Sequence, residues 1–452
     1  MGICIPYLSR RKPMNEWSPD TLDPENWSEF RAQGHHMLDD ILDYLENIRE
    51  RPVWQPIPEQ VRSLFREPLP EAGTGLAEVH ETFMRSILPF AVGNAHPGFC
   101  GWVHGAGTPV GLLADMLAAG LNANLGGRDQ IPIEVERQVI RWACELFALP
   151  DSASGVLVTG TSMANLLAVL VARTARLGPQ VRQQGIAANG RALVAYTSES
   201  AHGCVAQAMD LSGFGRDALR LIPVGSDYRM DVEALKHAIK ADQCAGLVPF
   251  LLVGTAGSVD VGVIDELDAL ADVAANAGLW FHVDGAYGAL AMLAPELAPR
   301  LAGIERADSI AFDFHKWGHV PYDAGCLLVR DGRLHYDTFA SPSAYLRREV
   351  RGLAAGSPWP CDFGPDLSRG FRALKVWFTL KTYGKAKLGA AIVGTCALAR
   401  FLAQQIDDSP ELERLAPVSL NIVCFRYRCD YPDRVNAHIV VALHESGLSA
   451  PS

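Results

Sequence analysis

The chain has 452 residues, of which 49% are hydrophobic and 20% charged, and its net charge is −11. That length allows one large or two medium domains with a deep core, while the acidic balance argues against a nucleic-acid binder, whose phosphate contacts need clustered Lys and Arg. No run of about 18 apolar residues free of charge is present, so no membrane span is expected.

The N-terminus, MGICIPYLSRRKP, has too short an apolar run before its charges for a signal peptide. Pro6 stands where a myristoylation signal has Ser or Thr, so the segment reads as a loose arm. Residues 28–52, SEFRAQGHHMLDDILDYLENIRERP, repeat Phe30, Met37, Ile41, Leu42, Leu45 and Ile48 at helical spacing, with Ser28 placed to cap and Pro52 beyond the end. A proline-rich extended stretch follows, then a second helix over about Leu76 to Leu88. Residues 1–90 thus form a helical arm without its own core, which is expected to pack on something larger, such as a second subunit.

From about residue 91 the pattern changes. GVLVTG, ALVAYTSES, PFLLVGTAG, LWFHVDGA, SIAFDF and GCLLVRD are short apolar runs separated by helical stretches. The alternation implies an α/β fold with a mostly parallel sheet covered on both faces. Ligands in such sheets bind beyond the C-terminal strand ends. Residues 336–365 read as a loop, SRGFRALKVWFTLKTYG as a long helix, and the tail as helix, strand (LNIVCFRYR) and helix. The domain reading is 1–90 as the arm, 91–365 as the large domain and 366–452 as a linking helix with a small domain. Ten scattered cysteines without a CxxC pair do not predict a structural zinc site; they read as free thiols, and a cytoplasmic protein is expected.

Four strand ends carry chemistry. Gly160, Thr161 and Ser162 sit where a strand meets a helix; this is either an ordinary cap or a phosphate cradle, since helix N-termini offer free N–H groups. His202 in TSESAHGCV satisfies a loop or lies over a flat ring. Asp284 in LWFHVDGAYGAL caps the next helix or meets a ligand for which Gly285, Ala286 and Gly288 leave room. Last comes FDFHKWGHVPYDAG, residues 312–325. His315 and His319 lack the carboxylate of a helical zinc motif and have Gly318 between them, so no metal is expected there. Lys316, flanked by aromatic residues, is a solvated charge or a nucleophile. A phosphate cradle, an imidazole, a carboxylate and a lysine at successive strand ends together make up the requirements of pyridoxal phosphate, which forms a Schiff base with lysine and pairs its ring nitrogen with a carboxylate.

At these residues the sequence resembles the group II pyridoxal-phosphate-dependent decarboxylases, a family that includes aromatic amino acid, histidine, glutamate and cysteine-sulfinate decarboxylases. The resemblance runs from about residue 26 to the end, through EFRAQGHHMLDDILDYLENIRERPV, HPGFCGWVHGAGTPVGLLADML, HVDGAYG, FDFHKW and SRGFRALKVWFTLKTYG. It implies an aspartate-aminotransferase-like (type I) fold, pyridoxal 5'-phosphate as cofactor and a homodimer with shared active sites. Lys316 resembles the Schiff-base lysine, His315 its phosphate-side neighbour, Asp284 the pyridinium partner and His202 the stacking imidazole. Ala286 would pack under the ring, and Thr161 and Ser162 would hold the phosphate. The implied activity is decarboxylation of an L-amino acid. Phe99 and Trp102 suit an aromatic or apolar substrate, Arg128 an acidic one; aromatic or broad specificity is expected.

The sequence departs from the family in four places. The loop before the RALK helix, RREVRGLAAGSPWPCDFG, lacks the tyrosine that returns a proton to Cα in many members. Trp359-Pro360 fall near its place, and Tyr345 lies at the loop's start. Loss of that tyrosine is associated in the family with aldehyde formation, so an aldehyde synthase, aminotransferase or lyase is the rival reading. Gly257-Ser258-Val259 replaces Gly-Thr-Thr, and Asp313 replaces an asparagine near the phosphate. The sequence also stops at LSAPS where relatives continue, so a shortened small domain is expected.

Overall fold

The computed structural model describes residues 22–190, 192–341 and 348–452. The arm before residue 22 and Tyr345 lie outside the described residues. Two compact units are present: one runs to Glu50 and resumes over Pro56–Ala91, and the other comprises Arg51–Gln55 and Val92–Ser452.

In the first unit a 20-residue helix spans Trp27–Glu46. Its cap is Asn26, not Ser28: the Asn26 side-chain oxygen accepts the amides of Ser28 at 3.0 Å and Glu29 at 3.3 Å. Satisfying two otherwise orphaned amides makes Asn26 the better cap. The second predicted helix is regular only over Leu76–Thr82, then widens into a π-turn over Phe83–Ile87.

The second unit is built on a seven-stranded sheet: β1 (Ser154–Val158), β2 (Leu193–Ser198), β3 (Leu219–Ile222), β4 (Val248–Thr255), β5 (Trp280–Asp284), β6 (Ser309–Asp313) and β7 (Gly325–Val329). The order is β1-β7-β6-β5-β4-β2-β3. β7 runs antiparallel to both β1 and β6, and the remaining pairs are parallel. β1 therefore points the same way as β6. β2, β6 and β7 are buried at every position, as expected for strands covered on both faces.

The segments SRGFRALK… and AAIVGTC… join into one helix, Arg372–Asp407, broken at Gly384, where φ is +69°. Only glycine adopts that left-handed geometry without strain. This helix has the length and apolarity to cross a bilayer, but it packs within the protein against helices Pro109–Leu121 and Ile131–Leu146. Ahead of it Arg369 is buried in a fork of bonds to Glu136 at 2.6 and 3.1 Å and to the carbonyls of Leu125 and Leu157. A buried charge is tolerated when it is paired and its donors are used in this way. LNIVCFRYR forms a strand only over Phe425–Tyr427, because its partner Leu412–Arg414 is equally short.

Candidate functional site at the strand ends

Because β1, β2, β5 and β6 run in one direction, the residues after them emerge along one edge of the sheet, the place where ligands bind in α/β folds. β6 ends at Asp313, and the chain turns at once through Phe314, His315 and Lys316. Gly105 makes room for this turn: a Cβ there would collide with the His315 carbonyl.

Asp313 is the centre of the first cluster. Its Oδ1 accepts the amide of Thr161 at 2.8 Å, and its Oδ2 lies 3.3 Å from Lys316 Nζ and 3.6 Å from His315 Nε2. The helix Thr161–Leu177 thus already holds an anion at its N-terminus, where the macrodipole favours one. The position that replaces the family's asparagine is paired, with a lysine and a helix end. Thr161 Oγ1 is buried without a partner. Such an orphan costs about 1–3 kcal/mol, and a phosphate oxygen would satisfy it. His315 Nδ1 accepts the Ala324 amide at 3.0 Å, which leaves its Nε2–H as the donor on the Asp313 side. Burial lowers the His315 pKa, against the pull of Asp313 and with the help of Lys316, so the neutral imidazole is the resident form.

The loop after Lys316 is pinned by the long helix. Arg372 and Lys375 are three residues apart, on one helix face. Arg372 reaches Asp323 at 2.8 Å, and Lys375 reaches the Tyr322 carbonyl at 2.9 Å and Asp115 at 3.1 Å. The FRALK signature therefore holds the lysine loop from behind. His319, in the same loop, takes a left-handed backbone (φ +53°) and closes a turn on the Lys316 carbonyl at 3.1 Å.

Asp284, at the end of β5, is buried and oriented by a relay that the sequence reading missed. Trp280 Nε1 donates to Ser309 Oγ at 2.8 Å, and that hydroxyl lies 2.8 Å from His282 Nδ1. His282 Nε2 meets Asn165 Oδ1 at 2.8 Å, and Asn165 Nδ2 donates to Asp284 Oδ2 at 2.8 Å. The Ala286 amide donates to the other carboxylate oxygen at 3.1 Å. Burial pushes the His282 pKa down to about 4 despite the nearby Asp284, so one neutral tautomer transmits the order through the relay. Among the described residues no basic nitrogen lies within 4 Å of Asp284. A buried carboxylate lacking a cation fits the protonated ring nitrogen of pyridoxal phosphate.

Cys204 joins the clusters. Its thiol lies 3.8 Å from Asp284 Oδ2 and 3.1 Å from Asn165 Nδ2. Burial, then Asp284, pushes that thiol up to about 12, so it stays protonated. The Cys204 amide donates to His202 Nδ1 at 3.2 Å, which sets the ring of that exposed histidine. The Ser258 hydroxyl accepts the Val263 amide at 3.2 Å; besides that of Thr161, the hydroxyl of Thr255 is buried without a partner at this sheet edge.

Phe99 and Trp102 form an aromatic row with His104, with ring centroids 5.6 and 6.0 Å from it and planes 25° apart. Tyr322 meets His104 edge-on at 6.2 Å and packs on His315 at 4.4 Å. The row therefore leads to the Lys316 cluster, and Lys316 helps burial to lower the His104 pKa. The tail LSAPS runs beside it: Ala450 bridges Phe99, and the Trp102 amide donates to Ser452 Oγ at 2.7 Å. Arg128 is placed elsewhere, 5.0 Å over the ring of Trp359. Trp359 itself is only 1% exposed, covered by Arg348 at 3.4 Å and tied by its indole N–H to the Ala355 carbonyl at 2.7 Å.

An asparagine at position 313 removes a like charge beside an incoming phosphate. Asp313→Asn is expected to bind the cofactor about 10-fold more tightly, because a charge contact near 4 Å is worth roughly 1–4 kcal/mol between water and a protein surface. Titration by cofactor absorbance checks this; weaker binding would mean that the Asp313–Lys316 pair assists loading.

The family described as Pyridoxal-dependent decarboxylase conserved domain matches residues 58–428. An aromatic-L-amino-acid decarboxylase of Bacillus atrophaeus is 34% identical over 404 residues, covering 88% of this chain and 82% of that protein. A phenylacetaldehyde synthase of Petunia hybrida is 29% identical over 415 residues, covering 90% and 80%. The solved structure of Oryza sativa TDC with PLP and tryptamine superposes with a TM-score of 0.86 at 27% identity, covering 95% of this chain and 91% of that one. Matched along most of its length, with an anion cradle, a lysine and a cation-free buried carboxylate at neighbouring strand ends, the chain belongs to the pyridoxal-phosphate-dependent amino acid decarboxylases, with pyridoxal phosphate as its cofactor and the type I fold of that family.

Proposed function

We propose that the chain decarboxylates L-amino acids with aromatic side chains, with Lys316 as the covalent anchor of the cofactor. The observation that carries this reading is the placement of Lys316, Asp284 and the orphaned Thr161 hydroxyl at the ends of β6, β5 and β1, along one edge of the sheet. When bound, pyridoxal phosphate supplies a ring that accepts the electron pair of the breaking Cα–carboxylate bond. Asp284 would hold a proton at the ring nitrogen. The orphaned Thr161 hydroxyl would hold the phosphate, with Ser162 and His315 beside it. His202 and Ala286 would hold the ring. Lys316, 20% exposed, is within reach of an incoming substrate.

Phe99, Trp102 and His104 offer flat apolar faces to the substrate side chain, and stacked aromatic pairs add about 0.5–1.5 kcal/mol beyond their burial. Arg128, engaged with Trp359, does not favour an acidic substrate. Positioning the carboxylate bond, rather than acid strength, selects which bond breaks. His104 and Tyr322 are the groups of the row able to hand a proton to Cα. A homodimer belongs to the same reading: helix Pro109–Leu121 leaves Leu113, Met116, Leu117 and Leu121 exposed, and a single-chain mass by sedimentation would overturn it.

A second reading, decarboxylation to an aldehyde, is favoured by the absence of tyrosine from residues 348–365 and by the synthase among the relatives. Supplying L-tryptophan, L-tyrosine, L-phenylalanine and L-glutamate separates the two. Equal CO₂ and amine from the aromatic substrates is the expected result. Aldehyde with peroxide and ammonia, at the expense of dioxygen, selects the second reading, and glutamate as the preferred substrate rejects the aromatic one.

A further inference from the structure

Outside the strand-end site, two histidines and an aspartate converge in the first unit. His36 and Asp40 lie one turn apart on the helix Trp27–Glu46, so their side chains share a face. His80, from the helix Leu76–Thr82, closes on them. Asp40 Oδ2 is 3.6 Å from His36 Nε2 and 3.4 Å from His80 Nε2, and all three ligand atoms lie within 4.8 Å of one another. Two ligands bound at about 2.0–2.1 Å in a tetrahedron are about 3.3–3.4 Å apart, close to both separations from the aspartate.

We propose that His36, Asp40 and His80 form a binding site for a divalent first-row transition metal, Zn²⁺ foremost, with water in the fourth position. Two imidazoles and one carboxylate are a borderline-soft donor set that suits such an ion better than Ca²⁺ or Mg²⁺. The depth of the site is graded: the side chain of His80 is 6% exposed, that of Asp40 25% and that of His36 63%. An ion therefore reaches the site from the His36 side and finds a buried ligand behind. Gln33 supports that buried ligand, its amide nitrogen lying 3.3 Å from His80 Nδ1. A half-turn of the Gln33 amide presents its oxygen instead, so that Nδ1 carries the proton and Nε2 turns its lone pair to the metal. The metal would clip the second helix of the arm to the first, joining Asp40 to a histidine 40 residues further along the sequence.

The site is tested on the full-length, cofactor-loaded protein with Co²⁺ and Zn²⁺ as probes. Calorimetry counts equivalents bound, and the visible spectrum of Co²⁺ reports tetrahedral coordination. Wild type is expected to bind one equivalent that His36→Gln, Asp40→Asn and His80→Gln each weaken by more than about 10-fold, with Gln33→Leu weakening it about 10-fold through the second contact. His36→Gln is decisive, since an exposed side chain is replaced and folding is not at stake. Equal stoichiometry and affinity in wild type and His36→Gln would overturn the proposal and leave the three residues as ion pairs only. An octahedral Co²⁺ spectrum unaffected by the variants would overturn it too.

Discussion

Lys316→Ala is expected to abolish the covalent cofactor link and to lower decarboxylation by at least about 10³-fold, the scale seen when a covalent catalyst is removed. Lys316 is the one described lysine in the strand-end cluster, set by the turn after β6 and paired with Asp313 at 3.3 Å. The cradle does not depend on its amine: the helix N-terminus at Thr161 and the buried Asp284 remain. The variant should therefore still bind pyridoxal phosphate, but release it on denaturation after borohydride treatment, whereas wild type retains it. A retained borohydride-fixed cofactor in Lys316→Ala would move the anchor to another lysine. The two readouts, mass of the denatured chain and substrate turnover, separate loss of the anchor from loss of fold.

Asp284→Asn should show the opposite combination, with the covalent link kept and turnover lost. Both carboxylate oxygens of Asp284 are already met by donors, Asn165 Nδ2 at 2.8 Å and the Ala286 amide at 3.1 Å. A carboxamide offers one acceptor and one donor, so its NH₂ faces another donor whichever way it turns. It also cannot hold a proton at the ring nitrogen. The expected fall in kcat is about 10²–10⁴-fold, the usual contribution of a positioned proton-transfer group. Steady-state kinetics with the cofactor saturating checks it. An unchanged kcat would show that the ring nitrogen needs no carboxylate here. The same logic explains the relay through His282 and Ser309: each member has a fixed donor and acceptor sense, and the buried neutral His282 cannot reverse it without cost.

The positions of Thr161, Asp284, His315 and Lys316 were legible because strand ends punctuate the sequence: an apolar run stops, and a polar residue with glycine or alanine neighbours follows. Asn165 was not legible. It sits four residues into a helix whose apolar spacing explains it as an ordinary polar position, and only the approach of β5 to that helix gives its amide a carboxylate to hold. Asp313 shows the same limit. In sequence it is only an aspartate in place of an asparagine, and the pairing with Lys316 and the Thr161 amide exists only in three dimensions. His36, Asp40 and His80 were invisible for a related reason, since no spacing rule joins a helix pair at i, i+4 to a histidine 40 residues on.

By itself the sequence determined the α/β architecture, a candidate lysine, a candidate carboxylate and the cofactor they imply, because hydrophobic periodicity and strand-end chemistry are local and survive in one dimension. Tertiary structure alone decided which groups are paired and which are left free. It placed Arg128 on Trp359, sealed Trp359 in its loop, left the Thr161 hydroxyl unpartnered and aligned Phe99, Trp102 and His104 toward the lysine. Those outcomes depend on side chains far apart in the chain competing for the same few ångströms, a contest settled by packing and hydrogen bonding once the sheet has formed.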